Sequence, residues 1–132
     1  MSSGLTDFAK RYVAAWSGQK ASGVASFFAE TGSLTINDND PSVGRAAITE
    51  AAQSFMTAFP DLHVSSDGVE TRGDRVIFRW TLTGRNTGPG GTGRSVKISG
   101  YEDWRLGSDG LVIESRGHFD SADYDRQLAG SR

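Results

Sequence analysis

Apolar residues recur along the first part of the chain at the three-to-four spacing of a helix. From Leu5, the positions Phe8, Ala9, Tyr12, Val13 and Trp16 fall on one stripe, with Ser3 as the expected N-cap and Gly18 as the stop. A short second helix is expected next, opened by Ser22 and burying Val24, Phe27 and Phe28. The alternation in Ser33-Leu34-Thr35-Ile36 predicts a brief strand, and the polar run from Asn37 to Pro41 ends it as a loop. A third helix is expected from Arg45, turning Ile48, Ala51, Ala52, Phe55 and Met56 inward. Phe59-Pro60 closes it, because proline has no N–H to give to the helical ladder.

Beyond Pro60 the period changes to two. Leu62 to Thr71 reads as a strand, Arg72-Gly73-Asp74 as a turn, and Val76, Phe78, Trp80 and Leu82 share one face of the next strand. The glycine-rich stretch from Asn86 to Gly93 reads as a flexible hairpin loop, and the sequence leaves open whether residues 88–93 act as a lid. A further strand carries Val96, Ile98, Gly100, Glu102 and Trp104 on one face. After the turn at Gly107 to Gly110, a last strand runs from Leu111 to about Phe119, and Asp120 to Leu128 forms a polar tail with one helical turn. This order predicts an α+β fold, one domain over 1–132, with helices on one face of a curled antiparallel sheet and a cleft between them.

Charge narrows the function classes. The 14 basic and 16 acidic residues are interspersed, so the one-sided basic stripe that nucleic acid requires is missing. No run approaches the roughly 20 apolar residues of a membrane span, and the start shows no basic-then-apolar leader, which makes the cytoplasm the expected location. With 0 Cys there is no thiol nucleophile or thiolate metal site, and no His or acid cluster has metal-ligand spacing. The loop at 88–93 joins two strands instead of opening a helix, so it lacks the amide cradle and dipole of a phosphate site.

Several ordered strings complete the reading: Tyr12-Val13-Ala14-Ala15-Trp16, Gly44-Arg45-Ala46-Ala47-Ile48, Ala58-Phe59-Pro60-Asp61-Leu62, Gly73-Asp74-Arg75-Val76, Thr92-Gly93-Arg94-Ser95-Val96 and Asp109-Gly110-Leu111-Val112-Ile113-Glu114. With Phe119-Asp120 and Gln127-Leu128 they give the chain a pattern that resembles the SnoaL-like branch of the nuclear transport factor 2-like superfamily, over nearly its full length. The resemblance implies a cone-shaped antiparallel sheet wrapped around N-terminal helices. It implies cofactor-independent acid/base chemistry on a hydrophobic carbonyl compound, and a homodimer packed through the outer sheet face. Because the superfamily also holds isomerases, hydrolases and pure binding or scaffold proteins, the fold alone does not choose among them.

The same resemblance nominates site residues. Asp120 falls where the cyclases carry the acid/base aspartate of an aldol closure, while the residues themselves read equally as an N-cap for the turn at Ser121. His118 shares strand parity with Asp120 and can share protons with it, or it can be a half-buried strand-end histidine; His63 is expected to be exposed. Tyr12 and Glu102 resemble the oxyanion-hole pair of the ketosteroid isomerases; the bland readings are a core tyrosine, and a Glu102 paired with Arg79 or Arg116. The isomerases' general base aligns near Ile36, with Asp38 two residues on, and the acid set of the related epoxide hydrolases is missing around Arg79, Thr81 and Gly117. Asn86 stands where many relatives carry histidine, and Arg116 where many carry tryptophan. Arg116, His118 and Asp120 form one row, either a binder of an enolic oxygen or an outward ion-paired stripe. Trp16, Phe28, Phe55, Trp80 and Trp104 are the expected ligand-pocket lining, with Arg116 added as an anion contact.

Overall fold

The computed structural model describes residues 2–129, with side chains from Gly4 onward, so the Ser3 side chain, the expected cap, lies outside the described side chains. In chain order the elements are α1 (Ser2–Ser17), α2 (Ala21–Ala25), β1 (Phe28–Ile36), β2 (Ser42–Val43), α3 (Arg45–Ala58), β3 (His63–Arg72), β4 (Arg75–Arg85), β5 (Ser95–Leu106), β6 (Val112–Phe119) and α4 (Ser121–Ala129). The strands form one curved, open six-stranded sheet in the order β2-β1-β6-β5-β4-β3. Against it pack α1, on β3, and α3, on β1 and β2; α2 bridges the two helices and α4 leans on β5.

Period-two alternation is cleanest in β4, where Val76, Phe78, Trp80 and Leu82 all point into the core. They meet the α1 stripe of Ala9, Tyr12 and Trp16, and Phe78 stacks on Trp104 at 4.9 Å between centroids. The turn between β3 and β4 is a two-residue hairpin closed by Arg72 opposite Arg75, and Gly73 supplies the positive φ of 61° that such a turn needs.

Four features differ from the sequence expectation. Phe28 does not extend the second helix; it opens β1 opposite Val112 of β6, so the sheet recruits a polar stretch, Glu30-Thr31-Gly32, whose pattern hides a strand. The sheet is mixed, because β1 pairs in parallel with β6, and the long connection between them, through α3 and four strands, gives the chain room to return in the same direction. The polar tail is a nine-residue helix, held by Tyr124 and Leu128 against the core and by Gln127, which accepts from Lys97 N at 2.6 Å and donates to Lys97 O at 3.0 Å. Finally, β6 contains a bulge: Arg105 pairs with Glu114 but Leu106 pairs with Val112, leaving Ile113 as the extra residue.

The glycine-rich loop is no free lid. Asn86 is buried and donates from Nδ2 to the last carbonyls of α3 at Ala58 O (3.0 Å), while its Oδ1 accepts from Thr92 N at 2.8 Å. Gly88 N also donates to Ala58 O, and a Cβ on Gly88 would lie 1.9 Å from Thr57 O, so only glycine lets the loop close onto the helix end. Removing the Asn86 side chain orphans the Thr92 amide and leaves Ala58 O with the Gly88 amide alone. Asn86→Ala should therefore destabilise the fold by about 1–3 kcal/mol, seen as a lower urea midpoint with an unchanged m-value.

Candidate functional site

Strand alternation in β5 turns Val96, Ile98, Glu102 and Trp104 inward, which places a carboxylate in the core. Glu102 is 8% exposed and lies directly across from Phe78. Three donors from three elements converge on it. Trp104 Nε1 donates to Oε1 at 2.9 Å, Ser115 Oγ of β6 donates to Oε1 at 2.7 Å, and the Tyr12 hydroxyl of α1 bridges Oε1 at 3.1 Å and Oε2 at 3.2 Å. Oε1 is thus saturated, whereas Oε2 holds one long, shared bond.

Two opposing effects set the protonation of this group. Burial disfavours the charged form and raises the Glu102 pKa above the ordinary 4.5, while the bonds from Trp104, Ser115 and Tyr12 pull it down without cancelling the rise. Burial and the neighbouring carboxylate push the Tyr12 hydroxyl well above its usual range, so it stays a neutral donor.

Tyr12 and Glu102 form the polar end of an otherwise apolar cavity of about 60 Å³, walled by Trp16, Phe55, Phe78, Trp80, Ile98, Gly117 and Phe119 among others. Gly117 matters here: a Cβ there would sit 3.7 Å from Glu102 Cγ, so its missing side chain keeps the space beside the carboxylate open. Leu34, Ile36, Phe55 and Phe119 are shared with an outer cavity of about 530 Å³ whose rim carries Asn37, Asp40, Ser54, Ser121, Tyr124 and Asp125. The outer space is a vestibule between α3, the β1–β2 loop and α4.

The sequence-derived candidates separate cleanly. Tyr12, Glu102, Trp16, Phe55 and Trp80 line the inner cavity. Phe28 and Trp104 are fully buried core residues outside its lining, although Trp104 reaches the site through its indole N–H. Asp120, His118 and Arg116 are not brought into it. Asp120 is exposed and caps α4, accepting from Asp123 N at 3.1 Å; Arg116 is exposed and pairs with Glu114; and His118 packs on Tyr101 on the outer face. The Ile113 bulge is the reason. Alternation counted from the buried Val112 sends 114, 116 and 118 inward, but the extra residue flips the parity, so Ser115, Gly117 and Phe119 face the cavity instead. Arg79, the other proposed partner of Glu102, pairs with Glu70, and His63 is exposed. Ser115 went unnoticed in the sequence; a lone small polar residue at the parity of Gly117 and Phe119 was its signal, hidden by the bulge.

Among the described residues, no group of three or more His, Cys, Asp or Glu is placed to hold a metal ion, and no helix is long and apolar enough to cross a membrane. Residues 6–128 match the family model of the SnoaL-like polyketide cyclases. The chain belongs to the SnoaL-like polyketide cyclase family. No curated protein matches it. Solved structures share the fold of this SnoaL-like chain. A protein described as a SnoaL-like polyketide cyclase from Jannaschia sp. CCS1 is 21% identical with a TM-score of 0.82, covering 96% of this chain and 92% of that one. AclR from Streptomyces galilaeus, described as a hydroxylase, is 25% identical with a TM-score of 0.81, covering 98% and 83%. A protein of ketosteroid isomerase-like fold from Catenulispora acidiphila, solved with trimethylamine, is 16% identical with a TM-score of 0.80, covering 93% and 92%.

The raised Glu102 pKa of this SnoaL-like domain makes stability depend on pH in a defined direction. Between the unfolded carboxylate value and the higher folded one, the folded state binds more protons, so the contribution is present at low pH and is lost as pH rises through that window. Glu102→Gln removes the titration. In thermal melts from about pH 5 to about pH 8, wild type should lose stability relative to the variant as pH climbs; a flat difference, or one turning toward wild type, contradicts the raised value.

Proposed function

We propose that this chain is a cofactor-independent enzyme that moves a proton alpha to the carbonyl of a hydrophobic small molecule, an enolisation leading to isomerisation or aldol-type ring closure. The observation that carries the reading is Glu102, a carboxylate in an apolar cavity with one oxygen anchored and the other only loosely engaged. Desolvation moves such a group toward the pH range where it can both take and return a proton.

In the proposed step the ionised Glu102 takes the alpha proton, the C–H electron pair becomes the enolate double bond, and negative charge gathers on the former carbonyl oxygen. Tyr12 supports that charge, because its hydroxyl stays protonated and its long shared bond to Glu102 is easily given up for a better acceptor. Asp120 takes no part in this reading, since an exposed helix cap lacks the apolar surroundings the chemistry requires. The proposal also includes a cytoplasmic homodimer, with Tyr101 and Ile113 among the exposed large apolar residues on offer to a second copy.

NMR-detected deuterium exchange alpha to the carbonyl, across β-ketoesters and cyclic enones, tests the assignment. Wild type should accelerate exchange, Glu102→Gln should lose about 100-fold or more, and Asp120→Asn should stay within a few-fold of wild type. Loss in Asp120→Asn with retention in Glu102→Gln would return the chemistry to Asp120. No acceleration by wild type across the panel would leave a ligand-binding domain of the same fold.

A further inference from the structure

Trp80 contributes a ring to the cavity wall, and among the described residues its Nε1 is a buried side-chain nitrogen with no hydrogen-bond partner. The residue is 9% exposed, and its nitrogen is out of contact with solvent. Buried indole N–H groups ordinarily find an acceptor, as Trp104 does on Glu102. Leaving one unpaired costs about 1–3 kcal/mol, which phenylalanine at the same position would avoid while filling most of the volume.

The neighbours show that the indole has a built seat. Trp80 stands opposite Gly100 in the β4–β5 register, where a Cβ would come within 2.8 Å of Trp80 Cζ2, so glycine is what lets the ring lie against β5. Phe119 meets the ring edge-on at 6.0 Å, and Phe119 is one of the side chains shared by the inner cavity and the vestibule. Along β5, Glu102 is two residues from Gly100 on the same face, one diagonal step from Trp80, and both side chains line the one cavity.

We infer that the Trp80 indole N–H is a donor for an oxygen of the ligand, holding the carbonyl oxygen while Glu102 faces the adjacent carbon. The role as an enolate-oxygen donor rests on the reading of Glu102 as the proton acceptor; the role as a ligand-oxygen donor does not. The ligand is then a compact apolar molecule with an acceptor oxygen within one diagonal strand step of the carboxylate. In a water-excluded cavity such a bond is worth more than at the surface, because no solvent competes for the donor.

A matched pair of probes tests this: cyclohex-2-enone, which has the acceptor, and cyclohexene, which lacks it. Two-dimensional NMR of 15N-indole-labelled protein should show the Trp80 N–H signal, assigned by its absence in Trp80→Phe, moving downfield on addition of cyclohex-2-enone but not of cyclohexene. Trp80→Phe should weaken cyclohex-2-enone binding by up to about tenfold and leave cyclohexene within about twofold. Equal losses for both probes would mean that the ring only fills space, and an unmoved Trp80 signal under bound enone, or no binding of the enone, would overturn the inference. Exchange kinetics separate it from the reading of Glu102: enone contact at Trp80 without catalysed exchange defeats the latter alone, and exchange unaffected by Trp80→Phe defeats the former alone.

Discussion

Taking one carboxylate out of water is the constraint around which this molecule is organised. An isolated buried carboxylate costs several kcal/mol even after relaxation, and the chain meets that cost with donors drawn from α1, β5 and β6. Those bonds tie the first helix to the middle of the sheet across a sequence separation of 90 residues between Tyr12 and Glu102. They are also uneven. Oε1 accepts from all three donors, and Oε2 holds only the long bond from the Tyr12 hydroxyl that it shares with Oε1.

The apolar packing follows from the same requirement. Tyr12 presents its hydroxyl to Glu102 because its ring is wedged edge-on against Trp104 and Phe78, so the aromatic core aims the donor. Gly117 and Gly100 do the complementary work by leaving space beside Glu102 and under Trp80. The inner cavity, about 60 Å³, adjoins the vestibule of about 530 Å³ through the walls that Leu34, Ile36, Phe55 and Phe119 share.

Much of this was legible in the sequence where one physical rule acted alone. The α1 stripe and the alternation of β4 follow directly from helix and strand periods, and the inward parity of Glu102 with Ile98 and Trp104 survives in the fold. What escaped reading depends on contacts between distant segments. β1 spans its polar start only because Phe28 on one side of it and Ser33 to Ile36 on the other pair with β6, and α4 is longer than its composition suggests because the sheet anchors it. Asn86 looks like an ordinary loop residue until the end of α3 is beside it. Of the two readings open for the row of Arg116 and His118, the extra residue at Ile113 selects the outward one, while Asp120 left the strand as a helix cap.

The central claim is that Glu102 titrates as a desolvated but well-bonded carboxyl at the cavity end, and carbon-13 NMR of the labelled side-chain carboxyl, assigned by its loss in Glu102→Gln, measures that directly. The account predicts a single titration centred clearly above 4.5, accompanied by a change at the Trp104 indole N–H that bonds to it. A midpoint at or below the ordinary carboxylate value, or one insensitive to Ser115→Ala and Tyr12→Phe, would contradict it.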